Sequence, residues 1–320
     1  MSDTIAVDHR NERRIEMRES TWSNLGHNVE GVKSLESVLN RSGLNYNVGF
    51  QPIHLPDGRE VPNRVATVRE SDGHIYDIVS EKYKIIQNKD AFDFVQYMGD
   101  GIEFKKAGET ASGMTYIIAK LPDVNVLGDM FTPHVIFRNG FSGNVKITAA
   151  ICPLRIICQN QFNFAFRNAE NSITVRHVGN AEQKLESAKE VLKVTADFMV
   201  ELNAQAELYA KHRMTKPQVE KVLDVLFPID PNKELNAYAQ HMLDSSRSAF
   251  VSAYEHEDNT NFRGTAWGLV NAYSDFITHK KPMGKTDTKE ENRFMTTVFH
   301  PGMMNTIFQA ISVVAPERVR

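Results

Sequence analysis

Cysteine is scarce in this 320-residue sequence, which contains only Cys152 and Cys158. Two cysteines cannot build the disulfide framework of a small secreted domain. Because they are six residues apart in a strand-like segment, their side chains would lie about 20 Å apart at the usual rise of a strand. We therefore predict two buried structural thiols, with a nucleophilic Cys158 near Arg155 as the alternative.

Long apolar runs are also missing. The stretch TAAICPLRIIC is among the most apolar, and it is short and interrupted, so no segment is long enough to span a bilayer. The first residues, MSDTIAVDHRNERR, lack the apolar centre of a secretory signal. We expect a cytoplasmic protein with no membrane role.

Metal and nucleotide motifs are absent as well. The eleven histidines and two cysteines form no HxH, HExxH or CxxC pattern. The GKT at residues 284–286 lacks the strand and the glycine of a phosphate loop, and GETASG at residues 108–113 has no dinucleotide-binding context. We predict no metal and no cofactor.

Basic residues are concentrated in one stretch of a chain whose net charge is -3. Between His134 and Arg176, five basic residues stand against the single acid Glu170, a local charge of +4. Such a stretch can bind phosphate locally, although arginines scattered over a solvated sheet would give the same count. The five are Arg138, Lys146, Arg155, Arg167 and Arg176.

The segment CPLRIICQNQFNFAFRN lies inside this basic stretch and contains no carboxylate. If it is extended, Phe162, Phe164 and Phe166 line one face and can stack on bases beside arginines that contact the backbone. If a helix has begun, Phe162 and Phe166 share a face and belong to the core. Gln159 and Asn160 either read base edges or cap that helix.

Hydrophobic periodicity predicts an α+β fold, with antiparallel β-hairpins packed on a long helix and an all-helical C-terminal region. PDG and SDG separate Val- and Ile-rich runs between residues 46 and 86, which indicates two or three antiparallel strands. Residues 180–214 lack Gly and Pro and repeat apolar residues at helical spacing. We divide the chain into a polar arm and short helix (1–40), an antiparallel α+β core (41–215) and a helical region (216–320).

Four stretches resemble, in order and spacing, the phage- and plasmid-associated family known as domain of unknown function 932. They are YKIIQNKDAFDF, GETASGMTYIIAKLP, CPLRIICQNQFNFAF and GTAWGLVNAYSDFITH, and the resemblance covers about residues 20 to 280. Gln161 stands where the family usually has Thr, which argues against a hydroxyl role at that position. The resemblance implies a bacterial host cell and a mobile genetic element rather than a particular reaction.

The order of elements also resembles the core of Rad52-like single-strand annealing proteins, which implies a homo-oligomer with DNA in a basic groove. On that resemblance we expect a phage or mobile-element protein that binds single-stranded DNA for annealing or recombination. The expected nucleic-acid contacts are Arg138, Lys146, Arg155, Gln159, Asn160, Phe162, Phe164, Arg167 and Arg176.

Two other functions are compatible with the sequence. The first is a metal-dependent or nucleotide-acting enzyme, for which Glu109, Asp129, His134 and His177 are the candidate residues. The second is a protein that binds a host defence factor and needs neither a basic groove nor a catalytic site.

Overall fold

The computed structural model describes residues 25–99, 101–143, 145–155, 160–161, 170–175, 180–229, 235–280, 293, 297–298 and 302–314. These residues form two antiparallel sheets and several helices, which confirms the predicted α+β class. Within them, no helix combines the length and the apolar character needed to cross a membrane.

The N-terminal elements are short. Strand β1 is His27–Asn28, and helix α1 is Leu35–Arg41. Ser34 caps α1, as its sequence position suggests, because its hydroxyl accepts a hydrogen bond from the Ser37 backbone N–H at 3.2 Å.

A three-stranded antiparallel sheet follows, in the order β2-β3-β4. Its strands are the ones predicted from the PDG and SDG turns, since those turns join β2 to β3 and β3 to β4. The strands are β2 (Val48–His54), β3 (Glu60–Arg69) and β4 (Ile75–Ser80).

The larger sheet has eight strands and runs β1-β5-β6-β8-β9-β10, while β7 pairs with β8 and β11 pairs with β9. A short helix α2 (Asn88–Phe92) and a 3-10 turn (Asp93–Met98) precede it. The remaining strands are β5 (Glu103–Glu109), β6 (Met114–Lys120), β7 (Val124–Val126), β8 (Asp129–Gly140), β9 (Thr148–Arg155), β10 (Asn160–Gln161) and β11 (Ser172–Thr174).

Helices make up the rest of the described chain. The predicted long helix is α3, Ala181–Lys211, which is about 46 Å long at the usual rise per residue. Pro217 lies in the first turn of α4, where its missing N–H is harmless. The other helices are α4 (Lys216–Leu226), α5 (Ala237–Tyr254), a 3-10 turn (Glu257–Phe262), α6 (Ala266–Asp275), a π-helical turn (Phe276–Lys280) and α7 (Gly302–Val314).

Helix α3 contributes to two hydrophobic cores. Near its start, Ala188 and Val191 pack with α1, α2 and the middle of the large sheet. Further along, Phe198 and Leu202 pack with α4 to α7 and with the end of the sheet that carries Phe131. The helix therefore joins the sheet to the C-terminal helices.

A partly buried polar cluster connects the small sheet to the large one. The Arg69 guanidinium on β3 donates to both carboxylate oxygens of Glu109 on β5, at 2.8 and 2.7 Å. The guanidinium also lies 4.4 Å from the centre of the Tyr46 ring and donates to the Tyr76 hydroxyl. Burial raises the pKa of Tyr76 to about 12, so its hydroxyl is neutral at physiological pH.

Replacing Glu109 should destabilise the fold. In Glu109→Ala, Arg69 loses its bidentate partner and the Tyr46 hydroxyl loses an acceptor, so we expect a loss of about 2 kcal/mol in the free energy of unfolding. Urea denaturation at neutral pH measures this loss. The matched control is Glu103→Ala, which removes a half-exposed carboxylate paired with Lys105. Equal effects of the two substitutions would contradict the role assigned to the cluster.

Candidate functional site

Side chains alternate across the large sheet, and the strand register shows which of them share a face. Residues directly opposite each other in neighbouring antiparallel strands lie on the same face. One face carries Ile117 and Phe137 and packs under α1, α2 and the first half of α3; we call it the helix-covered face. The opposite face carries Tyr116, Ile118 and Ile136.

Basic and hydroxyl side chains lie in rows on this opposite face. In one row, Arg138 on β8 pairs with Thr148 on β9, which pairs with Thr174 on β11. The next row runs from Asn28 on β1 through Lys106 on β5 to Ser172 on β11. We therefore call it the basic face.

Lys146 belongs to the same face. It lies two residues before Thr148, and Ile147 between them is part of the core on the helix-covered face. The backbone is extended there, since the Ile147 carbonyl accepts from the Val175 N–H at 3.0 Å. Lys146 is exposed and Arg138 is half-buried, so two residues predicted to bind nucleic acid lie on one side of the sheet.

The accessible part of the basic face is its β11 edge. The centre is buried, and Leu25 and Val298 are among the described residues that pack there. On β11, Ser172 and Thr174 are exposed while Ile173 between them is buried. At the opposite side Lys120 has the acidic Asp123 at 3.8 Å, which reduces the local positive charge.

Arg155, another predicted nucleic-acid contact, lies in a different environment. Its side chain is 2 % exposed, and its guanidinium nitrogens lie 2.8 and 2.6 Å from one carboxylate oxygen of Asp129. It also donates to the Asp258 carbonyl at 3.1 Å and lies 5.8 Å from the centre of the Phe262 ring. This arginine therefore joins the sheet to the C-terminal helices, and its position gives no support to a phosphate contact.

The other predicted nucleic-acid residues stay predictions. Gln159, Phe162, Phe164, Arg167 and Arg176 lie outside the described residues. Asn160 begins β10, opposite Arg155, but only its backbone is described.

The candidate catalytic residues do not converge in the described parts of the chain. Glu109 is in the row of Asn139, which is ten residues from Asp129 on β8, so the two acids lie about 34 Å apart. His177 lies outside the described residues. Across the residues that the structure describes, no three His, Cys, Asp or Glu side chains form a group able to hold a metal ion.

Two motifs that are distant in the sequence meet in the fold. Strand β10, which belongs to the CQN segment, contacts α6 and the π-helical turn, which belong to the GTAWGLVNAYSDFITH segment. Helix α6 is buried throughout, yet Asn271, Ser274 and Asp275 lie on one side of it at helical spacing. The sequence could have indicated this polar side of α6, because these are polar residues at positions i, i+3 and i+4 of an otherwise apolar segment.

The Arg155–Asp129 pair should be important for stability. Arg155→Met would leave a largely buried carboxylate without its cation, and we expect a loss of about 3 kcal/mol or more in the free energy of unfolding. Burial already raises the pKa of Asp129 against the opposing effect of Arg155, so removal of the arginine should raise that pKa further. Chemical denaturation measures the loss.

The matched control for this substitution is Arg59→Met. The Arg59 side chain is 75 % exposed and pairs with an exposed Asp57, so little change in stability is expected. A similar small effect of Arg155→Met would contradict the structural role of the buried pair.

His134 should make stability fall with acidification. Burial lowers its pKa from 6.5 to about 4 in the folded protein, so between these values the unfolded chain binds a proton that the folded chain does not. Stability should therefore decrease by about 3 kcal/mol as pH falls through this window. Chemical denaturation of the wild type and of His134→Gln between about pH 7 and about pH 4 tests this. If the stability of the variant falls with pH as steeply as that of the wild type, the effect does not come from His134.

Comparison with protein-family models matches residues 75–298 to the family described as Domain of unknown function (DUF932). The match covers more than two thirds of the chain, from β4 through α6 to Val298, and includes both motifs that meet at β10. Comparison with curated proteins and with solved structures gave no significant match. The resemblance to Rad52-like proteins stays a prediction, whereas the motifs and the matched range establish that the chain belongs to the DUF932 family.

Proposed function

We propose that this protein binds single-stranded DNA along the β11 edge of the basic face. The observation that carries the proposal is the placement of Arg138, Lys146, Ser172 and Thr174 on one side of the sheet, with Ser172 and Thr174 on the exposed edge strand β11. Cationic side chains and hydroxyl groups are the usual partners of phosphate oxygens. A row of them at a sheet edge can follow a flexible nucleic-acid backbone.

The charge distribution favours local binding over general attraction. The whole chain has a net charge of -3, so its overall field does not attract a polyanion. Binding therefore depends on a few phosphate contacts, and affinity falls as salt rises because each contact releases counterions. Base stacking on Phe162 or Phe164, as the sequence predicts, would add the preference for single strands.

The biological role proposed here follows from the family resemblance. Binding to single strands suits annealing or recombination during replication of a phage or plasmid in a bacterial host. A homo-oligomer and a host protein partner belong to the same proposal.

Removing a positive charge near the β11 edge of the basic face should lower the affinity for single-stranded DNA and make that affinity less dependent on salt. We expect Lys146→Ala and Arg138→Gln each to reduce the slope of log affinity against log salt by about 0.7, the value for one single-strand phosphate contact. Fluorescence anisotropy with a labelled single strand and with its duplex, at several salt concentrations, measures this slope. The single strand is expected to bind more tightly than the duplex.

The matched control is Lys211→Ala, which removes an equal charge from a side chain 79 % exposed at the end of α3. Its slope should equal that of the wild type. The proposal is wrong if neither form of DNA binds at low salt, or if the control weakens binding as much as the basic-edge variants do.

A further inference from the structure

Asn271 is a buried amide without hydrogen-bond partners among the described residues. Its side chain lies on α6 and the residue is 2 % exposed, and neither its oxygen Oδ1 nor its nitrogen Nδ2 is bonded there. Buried polar groups in native proteins are nearly always satisfied. An unsatisfied amide opposes folding, so an asparagine at such a position requires an explanation, and a group that binds from outside the chain is one.

Three other buried asparagines of the described chain form side-chain hydrogen bonds. Asn88 donates to the Leu44 carbonyl and accepts from the Thr115 hydroxyl at 2.8 Å. Asn139 donates to the Ile86 carbonyl and to Asn88, while Asn259 donates to two carbonyls but has no partner for its Oδ1. Of these four asparagines, Asn271 alone lacks a partner for both of its side-chain polar atoms.

Asn271 has further polar residues close to it on α6. Ser274 and Asp275 lie one turn further along the same side of α6, and both are buried. The helix then continues into the π-helical turn Phe276–Lys280, a geometry that occurs often at functional sites. Strand β10, from the other family motif, contacts both segments.

The chemistry of an amide restricts the kind of ligand. Asn presents an acceptor oxygen and a donor nitrogen side by side, and both require partners here. A metal ion would satisfy the oxygen and leave the nitrogen unpaired. A nucleobase edge offers an adjacent donor and acceptor that match an amide bidentately. Trp267 lies one turn earlier on the same side of α6 and belongs to the hydrophobic core that α6 forms with the other C-terminal helices.

We propose that Asn271 binds the hydrogen-bonding edge of a nucleobase at α6, beside β10. This inference rests on the proposed function, since the base belongs to the single strand that the protein binds. An unpaired base is free to leave the strand without the cost of opening a duplex. A free nucleotide carries the same hydrogen-bonding edge and would bind in the same way. The experiment below distinguishes a base within a strand from a free nucleotide.

The test replaces Asn271 by an apolar residue of similar size. Asn271→Leu removes an unsatisfied amide, so the melting temperature of the unliganded protein should rise by a few degrees. Affinity for at least one labelled homopolymeric strand should fall about tenfold, within the range for loss of a bidentate base contact. Affinity for an abasic strand of equal length should not change, because it depends on phosphates.

The matched control is Thr195→Val, another exchange of a buried polar group for an apolar one. Thr195 lies on α3 and its hydroxyl donates to the Val191 carbonyl at 2.8 Å, so no ligand is needed to satisfy it. This variant should bind both kinds of strand like the wild type. Asn271→Ala provides a second, smaller replacement if the leucine variant does not fold.

The outcomes separate the inference from the proposed function. If the wild type binds strands but the Asn271 variants bind base-containing and abasic strands as it does, the base site is wrong and the basic edge stands. If strands do not bind but nucleoside monophosphates raise the melting temperature of the wild type and not of the variants, the site stands and DNA binding is wrong. If neither strands nor nucleotides bind, both proposals are wrong.

Discussion

Alternation of side chains across the eight-stranded sheet is the constraint that determines what each basic residue can do. Arg138 and Arg155 lie in the same basic stretch of the sequence, on strands that pair with each other. Because they point to opposite faces, Arg138 lies on the basic face while Arg155 is enclosed with Asp129 and the C-terminal helices. A shift of one residue in the register of β9 would move Arg155 to the basic face and leave Arg138 where it is.

Helix α3 covers the face of the large sheet that lies opposite the basic face. It lies along the helix-covered face and contributes Ala188 and Val191 to one core and Phe198 and Leu202 to the next. Because α3 covers this face, the hydroxyl and basic side chains on the opposite face form the exposed polar surface at β11 and its neighbours. Arg155, which is paired with Asp129 within the sheet, then fixes the sheet against the C-terminal helices through its hydrogen bond to the Asp258 carbonyl, a directional contact that apolar packing does not supply.

Short-range sequence patterns predicted the helices and strands well, but they did not predict which side chains pair across the fold. The cap at Ser34, the turns between β2, β3 and β4, and the length of α3 all follow from residues close together in the sequence. The partners of Arg155 do not, since Asp129 and Asp258 lie 26 and 103 residues away. Of the candidate site, the basic residue types were readable in the sequence, but the common face of Arg138 and Lys146 depends on strand register, which periodicity alone does not determine.

Buried polar side chains among the described residues differ in whether the chain itself satisfies them. The network of Asn88, Thr115 and Asn139 is closed by its own hydrogen bonds, so it needs nothing from outside and serves structure. Asn271 has no such partners in the described part of the chain, although an apolar residue would fit a helix buried on all sides. Folding alone therefore does not account for an asparagine at this position. The proposed base site accounts for it, because a bound base edge pairs both polar groups of the amide.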